Sequence, residues 1–170
     1  INWQNTMELA DFDTLICGFD WNREKGDAYA SYTWGVSDTP KRRTHTRGYY
    51  LQNKLKLQDE KLFFNSGLRL DDHSTFETHT TFNQELILKP FKQTKMWGSY
   101  GRGFKAPTLY QLYDPTYGNI NLNPEKTSSY ELGAEQKLFN EKLLLGLLYF
   151  NTHFKNLIDS DPNNLYKYAN

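Results

Sequence analysis

Apolar and polar residues alternate along much of this chain with a period of two, the spacing that puts successive side chains on opposite faces of a β-strand. From Tyr130 to Leu138, Tyr130, Leu132, Ala134, Gln136 and Leu138 share one side and Glu131, Gly133, Glu135 and Lys137 the other. Leu62, Phe64, Leu68 and Leu70 oppose Asn65, Gly67, Arg69 and Asp71 in the same manner, as do Tyr49, Leu51, Leu55 and Leu57 opposite Tyr50, Gln52, Lys54 and Lys56. This spacing predicts strands over Asn2–Leu9, Thr14–Glu24, Arg43–Leu57, Leu62–Asp72, Glu77–Leu88, Gln93–Phe104, Lys126–Leu138 and Lys142–Asp159, with a ninth starting near Leu165. Two stretches resist orientation: LLLGLLYF (Leu143–Phe150) is apolar on both faces, and MWGSYGRGF is too rich in small residues.

The connections carry a second regularity. ADFD, QDEK, KPFKQ and FNEK have hairpin length and alternate with longer stretches: KGDAYASYTWGVSDTPKR, DDHSTFE, KAPTLYQLYDPTYGNINLNPE and SDPNNL. In an antiparallel up-and-down meander, alternate connections lie at opposite ends, so the tight turns collect at one end and the long loops at the other. A transmembrane β-barrel has this asymmetry, with lipid-facing apolar residues and a polar lumen. The fold class predicted is therefore all-β, a meander of about eight or nine strands forming part of a barrel wall. A soluble sandwich or meander would show the same one-sided alternation, and at this point both remain open.

Composition narrows the partners. Twenty basic and twenty acidic side chains cancel, so no net field draws nucleic acid or acidic lipid; neither has compositional support, and no nucleic acid is expected. The mean hydropathy of −0.78 is compatible with a barrel, whose lumen and loops are polar. The lone Cys17 excludes an internal disulfide framework and reads as a small strand residue. No run of about eighteen apolar residues marks a membrane helix.

The stretch GRGFKAPTLYQLYDPTYGNINLNPEKTSSYELGAE (Gly101–Glu135) resembles the barrel of TonB-dependent outer-membrane receptors, where an aromatic strand ending R-x-F-x-A-P leads into a loop closing G-N-x-x-L-x-P-E and a strand with E-L-G. Those elements are Arg102, Phe104, Ala106, Pro107, Gly118, Asn119, Leu122, Pro124, Glu125, Glu131, Leu132 and Gly133. FKAPTLYQLY and FKNLID are most similar to the cobalamin-receptor branch, while Ile120 stands where many members have Pro. The motif words span Ser99 to Asp159; the strand-and-turn pattern extends the resemblance over the chain. It implies a Gram-negative outer-membrane protein whose whole barrel has about 22 strands around a plug. Residues 1–170 are then an internal piece of that barrel, with the plug and the closing strands outside them. The function implied is uptake of a scarce bulky ligand, cobalamin first and siderophore or haem next, with membrane lipid around it and the TonB complex reached only through the plug. No cofactor and no catalysis are implied. A complete eight-stranded barrel is a rival, weakened by Asn170 at a terminus where such barrels end on an aromatic residue.

The Pro- and Tyr-rich loop supplies candidate ligand contacts: Tyr110, Tyr113, Asp114, Tyr117, Asn119 and Asn121 offer flat aromatic faces and amide groups. Tyr29, Tyr32 and Trp34 are a second set. Such Tyr also serve as an interfacial girdle or pack a loop on a rim, and both uses stay open. Lys41, Arg42 and Arg43 could meet an anionic ligand or lipopolysaccharide, or form a solvated face. Arg102 is expected to pair with Glu131 or Glu125 on the lumen side. Asp71 and Asp72 could share a calcium ion, though two carboxylates are few for a hard cation. His45, His73, His79 and His153 have no metal or hydrolase spacing, and His79 and His153 are the pair to test for a barrel enzyme with a serine.

Overall fold

The computed structural model describes every residue except Thr33 and Trp34, and the side chains of all but residues 27–40. Eight antiparallel strands follow one another in chain order as one sheet: β1 (Asn2–Ala10), β2 (Asp13–Tyr32), β3 (Gly35–Leu57), β4 (Leu62–His73), β5 (His79–Phe91), β6 (Thr94–Lys105), β7 (Glu125–Leu138) and β8 (Leu143–Lys155). The expected meander is present, with β1 and β8 as its two edges.

Three parts of the connection pattern differ from expectation. The stretch read as a long loop over residues 25–42 continues the β2–β3 ladder as far as Tyr32 opposite Gly35, after a register shift between Gly26 and Ala28. Tyr, Thr and Val favour extended backbone, and over the described residues pairing outweighs the Gly, Asp and Pro that suggest a loop. The last strand stops at Lys155 rather than Asp159. No ninth wall strand begins at Leu165. Instead β9 (Asp159–Asp161) and β10 (Lys167–Ala169) form a separate small hairpin.

Residues opposite one another in a ladder share a face. Rows such as Leu51, Leu68 and Phe82, or Met96 and Ala134, define an apolar face; rows such as Gln52, Gly67 and Asn83, or Lys95 and Glu135, define a polar one. On the apolar face Leu68, Leu70, Tyr130 and Leu132 are exposed, at 53%, 40%, 41% and 59%. No second layer covers them among the described residues, and they stand bare as residues on a lipid-facing barrel wall do. The register also orients LLLGLLYF: Leu145, Leu147 and Tyr149 join the apolar face, opposite Gln136, Ala134 and Leu132, while Leu144, Leu148 and Phe150 stand on the polar one.

Side-chain bonds lace the polar face. Arg69 donates to Asp71 on its own strand and to Asp20 on β2, at 2.7 Å each at closest. Asn65 donates to Glu85, and Tyr50 to Gln4. The Trp97 indole donates to Glu131 at 2.6 Å and lies over Gly133, where a Cβ would enter the ring. Gly133→Ala must therefore unseat Trp97 and break that hydrogen bond. The expected loss is about 1–3 kcal/mol, read as an earlier urea unfolding midpoint and an altered Trp emission in the detergent-folded protein. Gly146→Ala, where the nearest atom is 3.9 Å away, is the control and should unfold like the parent. Equal midpoints for all three proteins would contradict the close packing.

Candidate functional site

Beyond Lys105 the chain leaves the sheet and builds a long loop from local chemistry. Thr108 caps α1 (Leu109–Tyr113): its hydroxyl accepts from the Gln111 amide at 3.2 Å, while the Gln111 side chain accepts from the Thr108 amide at 2.9 Å. This reciprocal box satisfies two donors that a helix start otherwise leaves free. Pro115 cannot continue the helix. Asp114 turns the chain instead, its carboxylate accepting from the Thr116 and Tyr117 amides at 3.0 and 2.7 Å. At Gly118 any side chain would strike the Asp114 backbone, so only glycine fits this return.

The loop carries its own apolar core. Leu109, Leu112 and Leu122 are the buried hydrophobic side chains among the described residues, and all three belong to it. Leu109 packs at Gly26 of β2, so α1 reaches from the β6–β7 end of the sheet back over its opposite half, on the polar face. Arg42 of β3 lies 4.8 Å above the Tyr113 ring and holds the same docking.

The β9–β10 hairpin fastens the other side. The Tyr168 amide donates to the Tyr117 carbonyl at 2.9 Å, and Asn119 donates to the Tyr168 carbonyl at 2.8 Å. Asn170 bonds Asn123 in both directions, and the Tyr110 and Tyr168 rings meet edge to face. At the base, the buried Glu125 carboxylate accepts from Lys105 at 3.1 Å and from the Ile158 amide at 3.0 Å. One carboxylate thus ties the end of β6, the start of β7 and the chain beyond β8.

Between this loop and the sheet lies a polar cleft of about 240 Å³ lined by Glu24, Thr46, Asp71, His73 and Phe104 of the strands and by Pro107 and Thr108 of the loop. His73 sits at the tip of β4, past the exposed Arg47–Asp72 pair that closes the apolar band. Its Nδ1 accepts from the Thr75 and Phe76 amides, and burial pushes its pKa below the ordinary value. A neutral imidazole and two carboxylates suit recognition of polar or cationic groups.

The structure sorts the sequence candidates. Asp114 and Asn119 hold the loop together, and Tyr113 is half-buried beneath Arg42. Tyr110, Tyr117 and Asn121 are exposed on the loop. Trp34 and the side chains of Tyr29 and Tyr32 lie outside the described residues. Gly118, Pro124 and Glu125 shape the loop and its base, and Pro107 is buried beside the cleft. Arg102 does not meet Glu131 or Glu125. It stands on the apolar face, donating to the Tyr100 hydroxyl at 3.2 Å above the Phe82 ring, and the carboxylates' partners are Trp97 and Lys105. Asp71 and Asp72 cannot share a cation either: they point to opposite faces, each with its own arginine. Ser128 and His153 face each other across β7 and β8, yet no hydrogen bond joins them among the described residues. His79 stacks on Phe104 at 3.9 Å. Lys105, Tyr168 and Asn170 were missed; only the Thr108–Gln111 capping pattern was there to be read.

All of residues 1–170 match the family model described as TonB dependent receptor-like, beta-barrel. The chain is 34% identical over 132 residues to the Vitamin B12 transporter BtuB of Vibrio cholerae, covering 78% of this chain and 20% of that protein. It is 30% identical over 140 residues to that of Vibrio vulnificus, covering 81% and 22%. Among solved structures it resembles the siderophore receptor PirA from Pseudomonas aeruginosa, with a TM-score of 0.78 and 27% identity over 99% of this chain and 32% of that one. The chain thus spans about a fifth of the length of these curated relatives. With its bare apolar face, its laced polar face and this match along its whole length, the chain belongs to the TonB-dependent receptors of the Gram-negative outer membrane and forms part of their β-barrel.

Proposed function

We propose that this wall segment serves a receptor that captures cobalamin at its outer mouth for active uptake, with the plug and its coupling to the TonB complex lying in parts of the receptor outside residues 1–170. The observation that carries this reading is the loop over residues 106–124: it has a capped helix, a leucine core and a docked hairpin, so its exposed Tyr110, Tyr117 and Asn121 are presented on a rigid support. Ordering before binding lowers the entropy lost on capture, which suits a scarce ligand. A corrin ring with amide side chains matches flat aromatic faces and amide partners. The likeness to vitamin B12 transporters supports cobalamin over a siderophore.

The test is equilibrium binding of cyanocobalamin and of ferric siderophores to the complete receptor in detergent. Cobalamin should bind at submicromolar concentration, and Tyr110→Ala with Tyr117→Ala should weaken it about tenfold or more, at about 1–3 kcal/mol per lost aromatic contact. Tight binding of a ferric siderophore with none of cobalamin would overturn the ligand assignment.

A further inference from the structure

The connection from β4 to β5, residues 74–78, is held by two kinds of bond. Ser74 is tied to β3: its amide donates to the His45 carbonyl at 2.9 Å, and its hydroxyl accepts from the His45 amide at 3.0 Å. The next two amides, of Thr75 and Phe76, donate to His73 Nδ1 instead, at 3.1 and 3.3 Å, and the Phe76 ring lies against the imidazole with centroids 5.2 Å apart. The long loop makes the same turn with a different acceptor, since Asp114 takes the amides two and three residues ahead of it, Thr116 and Tyr117. Asp and Asn are the residues that ordinarily do this. An amide or carboxylate oxygen keeps its lone pairs across the physiological range, whereas an imidazole nitrogen stops accepting once it is protonated.

The groups around His73 set the balance between its two forms. It stands opposite Thr46 at the end of the β3–β4 ladder and lines the cleft with Glu24 of β2 and Asp71 of its own strand. Burial is the largest influence on its charge and disfavours the imidazolium; Glu24 and Asp71 favour it, while His45 of β3 and His79 of β5 oppose it. Phe104, Ala106, Pro107 and Thr108, which complete the lining from β6 and the long loop, carry no charge. Asp71 is already engaged by Arg69, whereas no ion pair holds Glu24 among the described residues. A charged His73 therefore loses two amide donors and gains a carboxylate partner across the same cleft.

We propose that residues 74–78 are an acid-released flap at the outer mouth of the barrel: protonation of His73 frees the Thr75 and Phe76 amides, and the imidazolium turns to Glu24, so the segment opens while the cleft loses its unpaired carboxylate. The sign follows from the bonds. The held segment needs a neutral Nδ1 and so binds fewer protons than the open one; it is favoured above the ordinary histidine value of about 6.5 and is given up as pH falls below it. Thr75 and Phe76 also line a second cleft of about 330 Å³ with His79, Asn123 and Asn156, so release alters both clefts at once. The device is independent of which ligand the receptor carries.

The experiment is residue-resolved hydrogen exchange of the complete receptor in detergent over a series of pH values, with rates corrected for the intrinsic pH dependence of exchange. In the parent, protection of the Thr75 and Phe76 amides should fall about tenfold or more from about pH 8 to about pH 5, and the Ser74 amide, whose acceptor is a carbonyl, should not change. His73→Asn places an oxygen near the Nδ1 position, as Asp114 does in its own turn, and should keep both amides protected throughout. His73→Phe has no acceptor and should leave them fast at every pH. Glu24→Gln removes the carboxylate that receives the imidazolium and should move the transition down by about half a pH unit or more. The parent titration uses unaltered protein, so it stands even where a variant does not fold. Protection that is independent of pH in the parent, an equal acid loss in His73→Asn, or a Glu24→Gln transition at the parent's pH would overturn the proposal.

Discussion

Leu112→Asp should detach the outer loop while leaving the barrel wall folded. Leu112 is the most enclosed of the three buried leucines, at 3% exposure. Truncating such a side chain costs about 2–5 kcal/mol through lost transfer energy and the cavity left behind. A carboxylate adds the cost of placing a charge among apolar groups, which it avoids only by reaching water and pulling α1 off the sheet. The loop has three buried leucines and one hairpin to hold it, so a loss of this size exceeds what a local unit of this kind can absorb. The strands rest on ladder hydrogen bonds and lipid contact, which this substitution does not touch. Limited proteolysis of the detergent-solubilised receptor should then cut between residues 106 and 124 in the variant and not in the parent, while both keep the same heat-dependent shift in electrophoretic mobility. Ligand affinity should fall at least tenfold with it. A protease-resistant Leu112→Asp loop would mean that the leucines do not carry the loop's stability.

How much of this was legible depended on whether the information was local. Period-2 alternation in Leu62–Asp72 and Tyr130–Leu138 located the strands and their two faces because both properties are written in neighbouring residues. Register is not. Arg102 is opposite Ser128, and Glu131 is opposite Ser99, so they fall on different faces, and a slip of one residue would have reversed that outcome. The pairing of Arg102 with a carboxylate was therefore beyond what alternation can decide. LLLGLLYF failed for a related reason: with apolar residues at both parities, only its ladder with β7 assigns Leu148 to the polar face. The region over 25–42 held signals for strand and for loop at once, and cross-strand hydrogen bonds, invisible in one segment, tipped its described residues to strand. At the candidate site the capping box was readable from Thr108 and Gln111, three residues apart. The Asn119–Tyr168 bond spans 49 residues and left no local trace.

Glu125 should show which of its two bonds matters. Lys105, whose side chain is 58% exposed, can regain water when its partner is lost, so the ion pair itself contributes no more than about 1 kcal/mol. The Ile158 amide is part-buried and accepted by the same carboxylate; without an acceptor it bears a desolvation cost of about 1–3 kcal/mol. Glu125→Gln keeps an oxygen at that position and removes the charge, whereas Glu125→Ala removes both. The expected order is therefore a small effect for Gln and a large one for Ala. In hydrogen exchange, the Ile158 amide should exchange about 5- to 150-fold faster in Glu125→Ala, the same 1–3 kcal/mol expressed as an equilibrium, and less than about fivefold faster in Glu125→Gln. Because Ile158 lies just before the β9–β10 hairpin, release there should spread to Tyr168 and through it to the loop residues Tyr117 and Asn119. High salt should narrow the gap between Glu125→Gln and the parent, since it screens the one interaction they do not share, and should leave the Ala variant as far away as before. Equal acceleration in both variants would assign the anchoring to charge rather than to the backbone hydrogen bond, and would make Lys105 the partner that holds the base of the loop.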